Sequence, residues 1–283
     1  GGVGAIYRKR QVALGDTVHS KPVFVKAPTT NYNDSGYATF KSTAPVSTRS
    51  GVLYVGANDG MIHAFNGTDG NASNGVDGDE RWAYVPKMLM PNMYKLAEKF
   101  YYSSHLFFVD GEQTVGDAKY FGSAKWATLL VTGMGKGARG FVALDVTNPD
   151  TPIPMWEFCH DSSLCAISDA DLGYSFGNPV ITKRAYDGRW VVIVTSGYNN
   201  VSPGDGRGYL YVLDAENGQI LSKTSTGSGS STSPSGLGRI NVWVTDPQLD
   251  NTGQYVYGGD LNGDLWRFDL TQSTVSVINI GTA

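Results

Sequence analysis

Four short segments of this chain align without gaps: GMIHAFN (60–66), RGFVALD (139–145), GYLYVLD (208–214) and GDLWRFD (263–269). Each carries two apolar residues three positions apart: Ile62 with Phe65, Phe141 with Leu144, Leu210 with Leu213, Leu265 with Phe268. In a β-strand that separation places the pair on opposite faces, so these strands are expected to be buried on both sides. Each is preceded by a β-rich run ending in glycine (VLYVGANDG, ATLLVTGMGKG, WVVIVTSGY, YVYGGDLNG) and followed by a turn and another strand (ERWAYV, PMWEF, GQILSKT, TVSVINI). Asp59-Gly60 and Asn262-Gly263 are two-residue hairpin signals, in which both central positions want positive φ. Strands such as KPVFV (21–25) and NPVITK (178–183) stand ahead of the pairs. Four antiparallel strands per unit, repeated round a centre, describe the blades of a β-propeller, whose sheets pack face to face. The 36 glycines and a charged fraction of 17% fit many short strands joined by tight turns, and the fold class is read as all-β.

The unit ends are spaced by 79, 69 and 55 residues, above the roughly 40 to 50 of compact blades, so the blades must carry insertions. The largest, PKMLMPNMYKLAEKF (86–100), has Met90, Met93, Tyr94 and Ala97 at helical spacing and reads as a short amphipathic helix whose methionines pack on the blade. Residues 1–283 read as a single propeller domain, and as an incomplete portion of one, since four recognisable blades and a final strand at the chain's end leave open edges. Further blades elsewhere, or partner surfaces, would cover them. The absence of an initiator Met suggests a segment of a longer chain or a processed product.

A net charge of −4 with scattered Lys and Arg excludes the basic stripe that nucleic acid demands. No apolar run approaches the ~18 residues that span a bilayer. Cys159 and Cys165 enclose the loop CHDSSLC, which suits a local disulfide and an oxidising compartment, with two free thiols as the alternative; zinc would need His160 and a distant fourth ligand. His19, His63, His105 and His160 lack a G-x-S-x-G partner, and His63 reads as a pleat residue. The Gly133, Gly135, Gly137 run reads as a hairpin turn, since no helix follows it. Asp161, Asp169 and Asp171 read as a solvated loop before a second cation loop. The loops 67–80, 198–207 and 225–235 are the surface-display candidates, with flexible linker as their plain reading. No Arg-Gly-Asp tripeptide occurs, since Arg139-Gly140 continues with Phe141.

The acidic stretch before the fourth hairpin has a ligand rhythm. Asp246, Gln248, Asp250, the carbonyl of Thr252 and Gln254 fall at positions 1, 3, 5, 7 and 9 of a calcium loop. Asn251 stands where the sharp turn usually needs Gly, and Tyr257 where a bidentate Glu closes the site, so a solvated turn is the competing reading.

Six segments in order, LGDTVHSKPVFV (14–25), VLYVGANDGMIHAFNGTDG (52–70), FVDGEQTVGD (108–117), GFVALDVTNP (140–149), DLGYSFGNPVI (171–181) and YVYGGDLNGDLWRFDL (255–270), resemble the C-terminal β-propeller of the PilC/PilY family of type IV pilus tip-associated adhesins. The likeness implies a modified seven-bladed propeller that is not an enzyme. It implies docking on minor pilins at the pilus tip, attachment to a host or abiotic surface, and a place in the periplasm and at the cell surface. It also implies a Ca²⁺ loop that tunes pilus extension and retraction, mapped onto Asp246, Gln248, Asp250, Thr252 and Gln254. Two alternatives stand beside it. GANDGMIHAFNGTDG followed by ERW also resembles a blade of pyrroloquinoline-quinone dehydrogenases, although those use adjacent cysteines. A purely structural assembly platform would need no receptor.

Overall fold

The computed structural model describes residues 6–67 and 76–282, and the tip of the 67–80 loop lies outside them. The repeated pattern folds as four antiparallel four-stranded blades. Blade 1 comprises β1 (Val23–Val25), β2 (Val52–Gly56), β3 (Ile62–Asn66) and β4 (Glu80–Tyr84). Blade 2 comprises β5 (Gln113–Lys119), β6 (Trp126–Gly133), β7 (Gly140–Asp145) and β8 (Ile153–Cys159), with β9 (Ile167–Ser168) added parallel to β8. Blade 3 comprises β10 (Val180–Arg184), β11 (Trp190–Thr195), β12 (Tyr209–Asp214) and β13 (Ile220–Ser225). Blade 4 comprises β14 (Ile240–Asp246), β15 (Asp250–Gly259), β16 (Leu265–Asp269) and β17 (Ser276–Gly281). The first strands lie innermost, with β5 beside both β1 and β10, and β10 beside β14. Blades 3 and 4 also share a short parallel ladder between β10 and β15, pairing Lys183 with Thr252.

The aligned segments are the third strands, each hydrogen-bonded on both edges. In β7 and β12 every residue is buried, and the three-residue spacing divides as the pleat requires. Leu144 joins Tyr54, Ile62 and Leu130 in the core between blades 1 and 2. Phe141 faces the other way, with Phe158, Val192, Tyr211 and Leu213 between blades 2 and 3. Leu210 then joins Ile193, Val256, Trp266 and Phe268 between blades 3 and 4. Three cores thus bind four blades in series.

Blade 4 departs from the expectation of two buried faces. Leu265 is 44% exposed, as are Ile278 and Ile280 to similar degrees, while Phe268 on the opposite face is fully buried. Among the described residues no further blade packs on that face. The hairpin turns also differ in detail: only Gly60 (φ 94°) and Gly263 (φ 86°) take positive φ, not the Asp59 and Asn262 that precede them.

The 86–100 insertion is the short helix expected, but wound more tightly than a 3.6-residue period. Lys87–Ala97 forms a 3₁₀ run with Pro91 inside it; proline lacks the N–H that an α-helical ladder would use there. The tighter winding buries Met88, Leu89 and Leu96 and turns Met90 (54%) and Tyr94 (65%) outward. A six-residue helix, α1 (Tyr37–Ser42), was not foreseen. It is held by tertiary contacts, with the Tyr37 ring against Trp126 at 4.7 Å and its hydroxyl on Asp117 at 2.7 Å.

Candidate functional site

The residues of the calcium rhythm fall on the β14–β15 hairpin. Asp246 ends β14, Asp250 opens β15, and the two are cross-strand partners, with Gln248 in the turn between. Asp246 folds that turn locally, its Oδ1 accepting from the N–H groups of Gln248 and Leu249 at 3.1 and 3.2 Å. Thr252 and Gln254 continue along β15, where the Gln254 carbonyl accepts from the Leu270 N–H. Asp246, Gln248 and Asp250 share the turn and the Thr252 hydroxyl reaches back to the Asp250 carboxylate at 2.5 Å, while the extended strand, at ~3.3 Å per residue, carries Gln254 away from it. Among the described residues no three His, Cys, Asp or Glu side chains are grouped to hold a metal ion.

A cation of the chain's own already stands at this turn. Lys183, from β10, places its Nζ 2.8 Å from Asp250 and 2.9 Å from Asp34. The hydrogen bond from Lys183, then that from the Thr252 hydroxyl, holds the Asp250 carboxyl below its usual range. Burial pulls the Lys183 ammonium down, but the two carboxylates outweigh it and leave it raised. The second acidic cluster is organised alike: Lys223 bridges Asp169 at 2.8 Å and Asp171 at 2.6 Å, and Asp161 caps its own turn through Ser163. Lysine, a compact point charge on a flexible stem, can neutralise such pairs without a metal.

The display loops are more ordered than linker composition suggests. In 198–207 the buried Asn200 donates to the carbonyls of Asp171 and Arg207, and Val201 bridges to Asp205. In 225–235, Ser235 is fully buried and its hydroxyl closes on the Ser228 carbonyl. Of the 67–80 loop, residues 68–75 lie outside the described residues. Cys159 and Cys165 form the disulfide, with Cα atoms 5.9 Å apart, and the closed loop delivers β9 to the edge of β8.

Two histidine sites escaped the sequence. His63, 3% exposed, sits between two carboxylates: Nδ1 is 2.6 Å from Glu80 and Nε2 3.1 Å from the fully buried Asp59. Burial pulls its pKa down, yet the hydrogen bonds and charges of Asp59 and Glu80 prevail and raise it. Asp59 also accepts from the Gly15 N–H at 2.7 Å, so the cluster ties the segment before β1 to the β2–β3 hairpin. His19 pairs with the buried Asp110 through both its ring Nδ1 (2.6 Å) and its backbone N–H (3.0 Å). The pair lines a cavity of ≈ 450 Å³ beside Phe176, Tyr198 and Arg239. There Glu112 is held by Lys21 at 3.2 Å and by Arg239, so the mouth of the innermost strands is electrically balanced. Only Asp59-x-x-x-His63 had a local signal, an i,i+4 spacing across a hairpin.

Comparison with known proteins now decides the family. Residues 14–280 match the model of the PilY1 beta-propeller domain. The chain belongs to this family. It is 36% identical over 278 residues to the type IV pilus biogenesis factor PilY1 of Pseudomonas aeruginosa PAO1, covering 95% of this chain and 22% of that protein. A PilY1 homolog of Xylella fastidiosa is 34% identical over 287 residues, covering 94% and 18%. The crystal structure of the P. aeruginosa PilY1 C-terminal domain superposes with a TM-score of 0.66 at 33% identity, covering 87% of this chain and 45% of that one. The chain therefore spans about a fifth of the length of the curated relatives it matches. Family membership and β-propeller architecture agree with the resemblance read from the six segments.

Proposed function

We propose that this propeller is the tip-associated part of a type IV pilus biogenesis factor, acting outside the cytoplasm by binding and not by catalysis. The observation that carries the reading is the match along 95% of the chain to proteins named for pilus biogenesis. Its partners are the minor pilins of the tip complex, on which the blades dock, and a host or abiotic surface is what the assembled tip contacts. No described helix is long and apolar enough to cross a membrane. Against quinone chemistry, Cys159 and Cys165 are six positions apart and close a loop onto β8, whereas adjacent cysteines would be needed to cradle the ring.

Ca²⁺ regulation of extension and retraction belongs to the same reading. It is supported by Asp246, Gln248 and Asp250 sharing one turn. Lys183 competes for Asp250, so binding is weak, of the roughly millimolar class of extracellular modules.

The test is an in-frame deletion of these 283 residues from the encoding bacterium. Loss of surface pili and twitching is expected; normal pilus number, motility and attachment would refute the role. In a retraction-deficient background that restores piliation, attachment per pilus separates an adhesin from an assembly platform.

A further inference from the structure

The insertion before blade 2 and the segment at residues 6–10 build a surface that packing among the described residues does not use. Tyr7 pairs with Glu98, the Arg8 N–H donates to the Ala97 carbonyl at 3.0 Å, and Arg8 Nε to the Leu96 carbonyl at 2.6 Å. The Arg8 guanidinium lies 4.1 Å from the centre of the Tyr101 ring. Between the two pieces runs a groove of ≈ 460 Å³ lined by Ile6, Tyr7, Tyr94, Glu98, Lys99 and Phe100. Ile6 (79%), Tyr7 (68%), Tyr94 (65%) and Phe100 (63%) are among the more exposed large apolar residues of the molecule, and Tyr102 (81%) extends the patch from Phe100. Tyr94 and Tyr102 face solvent although neighbours on the same insertion, Leu89 and Leu96, are buried. Exposed apolar groups gathered in one concave place mark an interaction site, whereas scattered ones do not.

Charge selects the occupant. The chain carries a net −4, yet Lys95 and Lys99 lie 6.0 and 5.9 Å from the rings of Tyr94 and Phe100 with Glu98 the acid in the lining, and Arg8, Lys9 and Arg10 line the adjoining cavity, where Asp16 and Asp59 face them. We infer that the groove docks an acidic segment of a partner protein that inserts apolar side chains between Tyr7, Tyr94 and Phe100 and meets the surrounding cations with its carboxylates. Tyr and Arg are the residue types that dominate such interfaces. A second copy fits less well, since an isologous contact would set the same cations against themselves. A flat bilayer fits less well too, because the surface is concave and holds Glu98 in its lining. The inference does not depend on the pilus role.

The test uses two labelled amphipathic helical peptides of about 18 residues, one bearing Leu and Glu and one bearing Leu and Lys, titrated by fluorescence anisotropy. The Leu/Glu peptide is expected to bind about tenfold tighter than the Leu/Lys peptide, with the preference shrinking as salt screens it. The Tyr94→Ser/Phe100→Ser double variant and the Lys99→Glu variant should each lose about tenfold in affinity. Phe121→Ser, which changes an exposed ring elsewhere on the surface (66%), should lose nothing. Equal binding of the two peptides, or equal loss in Phe121→Ser, would overturn the inference. So would tighter binding to phosphatidylglycerol vesicles than to the peptide, or a dimer in sedimentation that Lys99→Glu dissolves.

Discussion

Replacing His63 by Gln tests the electrostatics of blade 1. In the wild-type chain the imidazolium is the counter-charge of Asp59, whose side chain is fully buried, and of Glu80, whose side chain is 45% exposed. Removing it leaves Asp59 with the Gly15 and Met61 N–H groups but no cation. Stripping one partner from a buried pair costs about 3–5 kcal/mol. Glu80, open to solvent, adds at most about 1 kcal/mol. Gln can restore one hydrogen bond of about 1 kcal/mol, so the expected net loss at pH 6 is about 2–5 kcal/mol. The pH dependence gives the sharper result. Because the folded pKa of His63 is raised, its contribution is fully present below the unfolded value of about 6.5 and is lost as pH rises through the folded value. Urea unfolding at pH 6 and at pH 9 should therefore show the two proteins farthest apart in acid and converging in alkali. A wild-type minus variant difference that stays constant with pH, or grows toward alkali, would refute the charged His63 bridge.

Phe158→Ala empties a fully buried site in the core between blades 2 and 3, where the ring meets Tyr211 edge-on at 5.2 Å. A loss of about 3–5 kcal/mol in urea unfolding is expected, and a loss below 1 would mean the seam can collapse around the gap. Replacing both Cys159 and Cys165 by Ser releases a short loop and should cost about 2 kcal/mol by loop entropy; equal stability with and without reductant in the wild type would contradict it. Calorimetric titration with Ca²⁺ should give weak heats that vanish in Asp250→Ala and strengthen in Lys183→Met, which removes the competing ammonium. Identical traces in all three would rule the metal out of this turn.

What the sequence made legible was whatever depends on neighbours in the chain. The three-residue spacing of Phe141 and Leu144 announced a strand with a core on each side, and each residue lies in its own core. Glycine-ended runs marked the hairpins, although the φ values of Asp59 and Asn262 did not follow the turn type expected. The insertion's helix was legible but not its winding, because Met90, Met93 and Tyr94 obey a 3.6 period while Pro91 and the blade beneath impose a tighter one. At the calcium rhythm two patterns coincide: alternate oxygens along a loop and alternate residues along a strand share a spacing of two, so the sequence did not show that Thr252 and Gln254 lie along β15. Long-range partners left no trace, since Lys183 meets Asp34 across 149 positions and His19 meets Asp110 across 91. Helix α1 was invisible because its six residues are ordered by Trp126 and Asp117, not by their own propensity.

The serial arrangement of the three cores has a mechanical consequence. Each core joins only adjacent blades, but residues 31–34, between β1 and β2, strap blade 1 to the later blades: the Asn31 and Asn33 N–H groups donate to the Gln248 and Leu249 carbonyls, and Asp34 pairs with Lys183. The seam between blades 3 and 4 carries an extra clasp, the parallel β10–β15 ladder at Lys183 and Arg184. Under load the seams should therefore open only once the 31–34 strap is released, with the clasped seam parting later than side-chain packing alone would allow.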